Sequence, residues 1–255
     1  MGFVVVLIMS AFIGGVAGYL GSLMLSKRMA LIAGPLGHLT LPGITLALIY
    51  GFDVSLGAFF FVVLGIIVIW LVEMRTKLPM EAITAIVFAS GVATSFLFLP
   101  EDKTVPALIG DVSQISPEAG AIAAILSLVI LFVTKKIFSK MVLVSISEDL
   151  ARVQGIDARK LNFIYLACIG LVVSLGVRIV GGLMTAAIVA IPACTSRNLS
   201  KNLLQYSYGG MILGSLGCVL GIGIAELTGI SAGPLIVIVS TLLFLLSLIA
   251  KREET

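Results

Sequence analysis

Long runs of apolar residues, separated by short polar or charged segments, occupy most of this 255-residue chain. A helix needs about 20 predominantly apolar residues to cross the hydrocarbon core of a bilayer. By that measure the chain contains roughly eight or nine membrane-spanning helices. The pattern therefore predicts an all-α, polytopic membrane protein, with segments at residues 3–25, 36–50, 56–72, 83–99, 119–133, 161–180, 182–194, 208–227 and 234–250.

Two of these segments are short and rich in helix breakers. They are the second, with Gly34, Pro35, Gly37, Pro42 and Gly43, and the seventh, with Gly181, Gly182 and Pro192. Interrupted helices persist in lipid only where neighbouring protein or a water-filled cavity satisfies the freed backbone groups. We therefore expect a translocation pathway beside these two segments.

A charged island at residues 145–160, SISEDLARVQGIDARK, separates two long apolar stretches. Ser145 or Ser147 can accept hydrogen bonds from free backbone N–H groups at the start of a helix, and Glu148 and Asp149 favour the positive end of its dipole. These residues predict the beginning of a short helix in the aqueous phase.

The same island supplies an apolar face and a stop signal. Leu150 and Val153 share one side of a helix, and Gly155 can end it. A short amphipathic helix presented to water favours docking of a soluble partner. A solvated connector is the alternative interpretation.

Composition supports a chain that is almost entirely membrane domain. Hydrophobic residues make up 60% and charged residues 11%, and the mean hydropathy is +1.22. These values exclude an ordinary soluble domain. We treat residues 1–255 as one transmembrane domain. Its cysteines fall inside apolar segments without CxxC spacing, which indicates packing residues and no disulfide framework.

Charge distribution predicts the orientation in the cell membrane. If all nine segments cross, every Lys and Arg except Lys103 and Arg178 lies on the side of the island. Basic residues concentrate on the cytoplasmic side. We therefore expect a cytoplasmic island, an outside N-terminus and a cytoplasmic C-terminus. Arg178 is expected either to pair with an outer carboxylate or to extend to the interface.

Few side chains are of the types that bind metal ions or catalyse reactions. His38 is the only histidine, and it lies in a predicted membrane segment, where burying a polar group costs free energy unless the group is hydrogen-bonded or hydrated. Its imidazole is a good transition-metal ligand, although a hydrogen-bonded structural role is an open alternative. Glu226 could supply an oxygen to the same cation or simply face water. The chain has no GxxxxGK[ST], HExxH or GxSxG motif, so catalysis by this chain alone is not expected.

Five sequence blocks carry a family resemblance. They are SKRMALIAGPLGHLTLPGITLAL, ALIGDVSQIS, SEDLARVQGIDARKLN, VRIVGGLMTAAIVAIPACTSR and LTGISAGPLIVIVSTLLFLLSL, in this order. Together they resemble the membrane permease of bacterial and archaeal ATP-binding-cassette (ABC) importers for zinc, manganese or iron(II), which are fed by cluster A-I metal-binding proteins.

The resemblance implies an assembly in which this chain forms the pathway. Two permeases, usually identical, would carry two cytoplasmic ATPases and receive metal from an external binding protein. The partner would hydrolyse ATP, and no tightly bound cofactor or nucleic-acid partner is expected. The resemblance does not choose among the metals or between homodimer and heterodimer. An ion-gradient-driven secondary transporter, or a structural membrane subunit that has lost metal binding, is the alternative.

The resemblance also assigns residues. The cytoplasmic coupling helix would comprise Glu148, Asp149, Leu150, Ala151, Arg152 and Val153 with Gly155 after them, and His38 falls where the family places a pathway histidine in SHAxLPG. Members commonly carry an aspartate and a serine where this chain has Gly34 and Gly37. Either Glu226 and water complete the coordination, or the ion passes without firm binding, or the substrate differs.

Overall fold

The computed structural model describes residues 2–26, 33–76, 78, 80–98, 108 and 117–252, and within these residues the regular structure is helical. Lys103, an exception in the charge pattern, lies outside them. The helices are α1 Gly2–Ser26, α2 Ala33–His38, α3 Leu41–Tyr50, α4 Val54–Arg75, α5 Met80–Phe98, α6 Pro117–Ile146, α7 Glu148–Val153, α8 Ala158–Leu199, α9 Leu203–Thr228 and α10 Ala232–Arg252.

Six stretches of the described residues are long and apolar enough to cross a membrane. They are Phe3–Ser26, Val54–Arg75, Glu118–Ile146, Ala158–Gly182, Leu203–Thr228 and Ala232–Ala250. Leu41–Tyr50 and Ala82–Phe98 are shorter apolar helices. The prediction of an all-α, polytopic membrane protein is confirmed, while the number of crossings stays a prediction.

Helix α6 continues well beyond residue 133, where the apolar pattern predicted its end. Lys135 and Lys136 are exposed, whereas Ile137, Phe138 and Met141 are buried on the other side of the helix. The charges therefore mark a change from a lipid-compatible to an amphipathic surface within one helix. They do not mark its end.

Helix α1 lies at the centre of the bundle, against α6, α8 and α9. Its contact with α9 depends on glycines spaced four apart, Gly14 and Gly18 on α1 and Gly210 and Gly214 on α9. A Cβ built on Gly18 would collide with the carbonyl oxygen of Gly210. Small residues let membrane helices approach closely, and close packing drives their association. These four glycines therefore let α1 and α9 pack with their backbones in close contact.

A second, smaller apolar cluster fixes the position of the broken segments. Leu41 and Ile44 of α3 pack with Ala58 of α4 and Val177 of α8. Helix α2 packs against α5 and α8. The short helices α2 and α3 are thus held against the middle of the long helix α8.

Candidate pathway and docking sites

Helix α8 is interrupted at Gly181, which adopts φ 78° and ψ 167°. Residues with a Cβ rarely adopt a positive φ, so glycine is suited to this break. The buried Thr185 hydroxyl donates a hydrogen bond of 2.6 Å to the carbonyl oxygen of Gly181. The sixth and seventh predicted segments are therefore two halves of one broken helix with a satisfied carbonyl at the break.

The turn between α2 and α3 is satisfied locally as well. The N–H of Leu39 donates to the carbonyl of Pro35 at 3.0 Å, and the N–H of Thr40 donates to that of Gly37 at 3.2 Å. The Thr40 hydroxyl, which is completely buried, also donates to the Gly37 carbonyl. The second predicted segment is thus a pair of short helices joined by a hydrogen-bonded turn.

The two breaks lie against each other. A Cβ built on Gly37 would lie 3.1 Å from the carbonyl oxygen of Gly182. One built on Gly182 would lie 3.3 Å from the Thr40 hydroxyl and 3.2 Å from Leu41. The segments singled out for their breakers are therefore in direct contact, and their role in transport stays a prediction.

His38 is the last residue of α2 and is half-buried. Its ring centroid lies 5.1 Å from that of Phe88 on α5, with the planes tilted by 37°. The ring therefore packs beside an aromatic side chain within one turn of the contact between the two breaks.

Glu226 lies in the last turn of α9 and is exposed. Helix α9 packs against α1, α8 and α10, whereas the helix of His38 packs against α5 and α8. Among the described residues no three His, Cys, Asp or Glu side chains form a group able to hold a metal ion. The assignment of His38 and Glu226 as metal ligands stays a prediction.

Arg178, one turn before the break in α8, forms an ion pair with Asp53. The other oxygen of that carboxylate accepts from the N–H groups of Ser55, at 2.8 Å, and Leu56, at 3.2 Å. Asp53 therefore begins α4 and ties it to α8 at the same time. Pairing of Arg178 with a carboxylate is confirmed, whereas the capping role of Asp53 was not anticipated.

The island forms the predicted short helix, α7, between α6 and α8. Ser147 is its N-cap, and the Ser147 hydroxyl oxygen accepts from the N–H of Leu150 at 3.2 Å. Ser145 instead donates to the Met141 carbonyl and belongs to α6. Of the two serines, Ser147 starts the helix. The side chain of Glu148 lies outside the part of the chain that the structure describes.

The end of α7 is a glycine-based cap. Gly155 has φ 74°, and its N–H donates to the Arg152 carbonyl at 2.9 Å. The next N–H, of Ile156, reaches back to the Ala151 carbonyl at 2.9 Å. This pair of bonds is the Schellman arrangement, which satisfies the last carbonyls of a helix. The predicted stop at Gly155 is confirmed.

The faces of α7 are clearly different. Leu150 is 54% exposed and Val153 is 86% exposed, whereas Ala151 is completely buried. Asp149 and Arg152 are also exposed. Ala151 therefore anchors the helix to the bundle, and the apolar side chains of Leu150 and Val153 point away from it.

Comparison with known proteins agrees with this architecture. The family model described as the ABC 3 transport family matches residues 3–251. The high-affinity zinc uptake system membrane protein ZnuB of Buchnera aphidicola subsp. Baizongia pistaciae is 25% identical over 247 residues, covering 92% of this chain and 93% of that protein. The manganese import system permease protein ScaB of Streptococcus gordonii is 26% identical over 245 residues, covering 94% and 88%.

A solved structure shares the fold. PsaBC from Streptococcus pneumoniae, in complex with a Fab, superimposes with a TM-score of 0.81 at 24% identity, covering 95% of this chain and 89% of that one. The family model matches almost the whole length of the sequence. The chain therefore belongs to the ABC 3 transport family.

Proposed function

We propose that this chain is the permease subunit of an ATP-driven importer for a divalent transition-metal ion, zinc, manganese or iron. Family membership and the zinc and manganese relatives support this proposal. The sequence carries no P-loop motif, so a separate ATPase supplies the energy. In this proposal a second copy of the chain completes the pathway, and an external binding protein delivers the metal.

The observation that carries the proposal is the shape of α7. Ser147 and Gly155 cap this six-residue helix at its two ends, between the long helices α6 and α8. Leu150 and Val153 extend from it as an apolar knob. An exposed amphipathic helix fits a hydrophobic groove on a partner, and we assign that groove to the ATPase. Closure of two ATPases would then pull α7 and, through α6 and α8, the bundle.

We place the pathway at the contact between the two breaks. His38 directly follows Gly37 and lies two residues before Thr40, and both Gly37 and Thr40 approach Gly182 closely. A pathway must bind an ion well enough to admit it and weakly enough to release it. One half-buried imidazole beside backbone breaks suits transient contact with a passing metal. Glu226, exposed at the end of α9, is assigned to the outer mouth.

Ion-gradient coupling is the rival mechanism, and the described carboxylates argue against it. Coupling to protons or sodium generally uses carboxylates embedded in the membrane. Among the described side chains no Asp or Glu is buried, and Glu226 is exposed. The described part of the chain thus lacks the group that a gradient-driven cycle uses.

Uptake measurements test the pathway. Cells that express the complete system should take up one of the three metals, and His38→Ala should lower the initial rate at an unchanged amount of protein in the membrane. Glu226→Gln should lower it too, whereas Glu118→Gln, which alters another exposed carboxylate, should not. Uptake that is the same in His38→Ala and the unmodified protein would remove His38 from the pathway.

A further inference from the structure

Leu39 lies in the turn between α2 and α3, directly after His38 and before the buried Thr40. Its side chain is only 4% exposed and belongs to the main apolar core of the protein. A helix of six residues, such as α2, gains little stability from its own backbone hydrogen bonds, so its position depends on the packing of neighbouring side chains. The packing of Leu39 therefore bears directly on where His38 lies.

Two glycines on different helices flank the Leu39 side chain. A Cβ built on Gly65 of α4 would lie 2.8 Å from Cδ1 of Leu39, and one built on Gly91 of α5 would lie 3.0 Å from its Cδ2. Each glycine therefore leaves the space that one methyl group of Leu39 occupies. We call this space, between Gly65 and Gly91, the Leu39 seat.

The same helix that forms one side of the seat also contacts His38. Phe88 of α5, whose ring centroid lies 5.1 Å from that of His38, comes three residues before Gly91. Residues three apart are neighbours on one face of a helix. Helix α5 thus receives two consecutive side chains of the turn, the His38 ring at Phe88 and a Leu39 methyl group at Gly91. A displacement of Leu39 would therefore move the His38 ring relative to Phe88.

Leu39 can yield to an added methyl group on one side of the seat but not on both. If only Gly65 gained a Cβ, the flexible end of the leucine could turn towards Gly91, and the reverse holds for a Cβ on Gly91. Methyl groups on both sides remove this freedom, and an overpacked core forces side chains and backbone to shift. The two substitutions should therefore displace the turn by more together than the sum of their separate effects.

We propose that Leu39 is a positioning residue, which holds the His38 ring in place for the passing metal because its two methyl groups fit the seat between Gly65 and Gly91. This inference rests on the proposed role of His38 in the pathway. Leu39 acts through the turn and does not itself bind the ion. Removing a group that orients a metal-ligating histidine commonly lowers metal affinity by about 10- to 100-fold. Loss of the seat should therefore raise the apparent KM for metal uptake about tenfold.

The position of the His38 ring is measured without transport. His38 is the only histidine of the chain, so a complex assembled from an untagged permease with isotope-labelled histidine and an unlabelled ATPase gives NMR signals from one kind of imidazole. The ring current of Phe88 shifts the His38 ring-proton resonances, and Phe88→Leu gives their values without that ring. In the double variant Gly65→Ala with Gly91→Ala, the resonances should move towards those values. In Gly223→Ala, which adds a methyl group in open space on α9, they should not move.

Leu39→Ala supplies the compensating change. The methyl groups added at Gly65 and Gly91 lie 2.8 and 3.0 Å from the two Leu39 methyl groups that this substitution removes. Changes that conserve the volume of a core are tolerated best. The triple variant should therefore recover the His38 resonances and the apparent KM of the unmodified protein, whereas the double glycine variant should show displaced resonances and an apparent KM raised about tenfold. The melting temperature of each variant reports its stability separately.

The outcomes separate this inference from the proposed function. Unchanged His38 resonances in the double glycine variant would overturn the inference, whatever the uptake. Displaced resonances with an unchanged apparent KM, in a system where His38→Ala lowers uptake, would overturn the inference alone, since His38 would then act wherever Leu39 holds it. Uptake that His38→Ala leaves unchanged would remove His38 from the pathway and the positioning role of Leu39 with it.

Discussion

The most informative perturbation is the double substitution Leu150→Ser with Val153→Ser on α7. Fully burying a Leu or Val side chain stabilises a complex by about 1.5–3 kcal/mol. Scaled by the exposed fractions, 54% and 86%, the two side chains together contribute roughly 2–4 kcal/mol when a partner covers them. Because 1.4 kcal/mol is a tenfold change, the Kd for the ATPase should rise roughly 30- to 1,000-fold.

The assay is titration of the purified ATPase onto the permease in lipid nanodiscs. The chain itself should stay folded, because both side chains are exposed and the buried Ala151 still anchors α7. Leu227→Ser is the matched control, since Leu227 is 88% exposed at the far end of α9. A Kd within about threefold of the control would refute docking through these side chains.

Three further predictions concern the architecture. Asp53→Asn should keep the cap of α4 but lose the ion pair, which should lower the free energy of unfolding by at most about 1 kcal/mol. Asp53→Ala should lower it by roughly 1 kcal/mol more, because the cap is lost as well. Equal melting temperatures for the two variants would contradict the role of Asp53 as both cap and ion-pair partner. Gly18→Ala should destabilise the chain by about 1–3 kcal/mol through its collision with Gly210, while Gly223→Ala, with open space around it, should not; similar losses in both would refute the close contact. The pKa of Asp157 is lowered mainly by a hydrogen bond from a backbone N–H in the first turn of α8. The stabilisation by this cap is therefore complete above the ordinary pKa of 3.8 and is lost as pH falls through the lower pKa of the folded state. The protection of the amides in that turn, relative to their intrinsic exchange rates, should fall in this pH range, and should not do so in Asp157→Asn.

The apolar pattern predicted most of the fold because each membrane helix needs a long apolar run. Residues 3–25 and 208–227 agree closely with α1 and α9. The predicted end of α6 at residue 133 was wrong, because the charges of Lys135 and Lys136 indicate a change in the surroundings of the helix and not its end. Local signals predicted that α7 starts at Ser145 or Ser147 and stops at Gly155, and the structure selects Ser147 as the start and confirms the stop.

Contacts between distant residues were harder to predict. Breakers at Gly37 and Gly182 marked both interrupted segments, but only the fold brings their backbones together. Ala151 illustrates the same limit, because the pattern placed it in the docking helix without revealing that it faces inward.

In the proposed mechanism, ATP hydrolysis on the α7 side drives metal movement through this chain. Proteoliposomes that contain the permease, its ATPase and the metal-loaded binding protein test it directly. Uptake of one divalent transition metal should require ATP on the α7 side and should persist when proton and sodium gradients are abolished. Uptake that proceeds without ATP and follows an imposed ion gradient would contradict it.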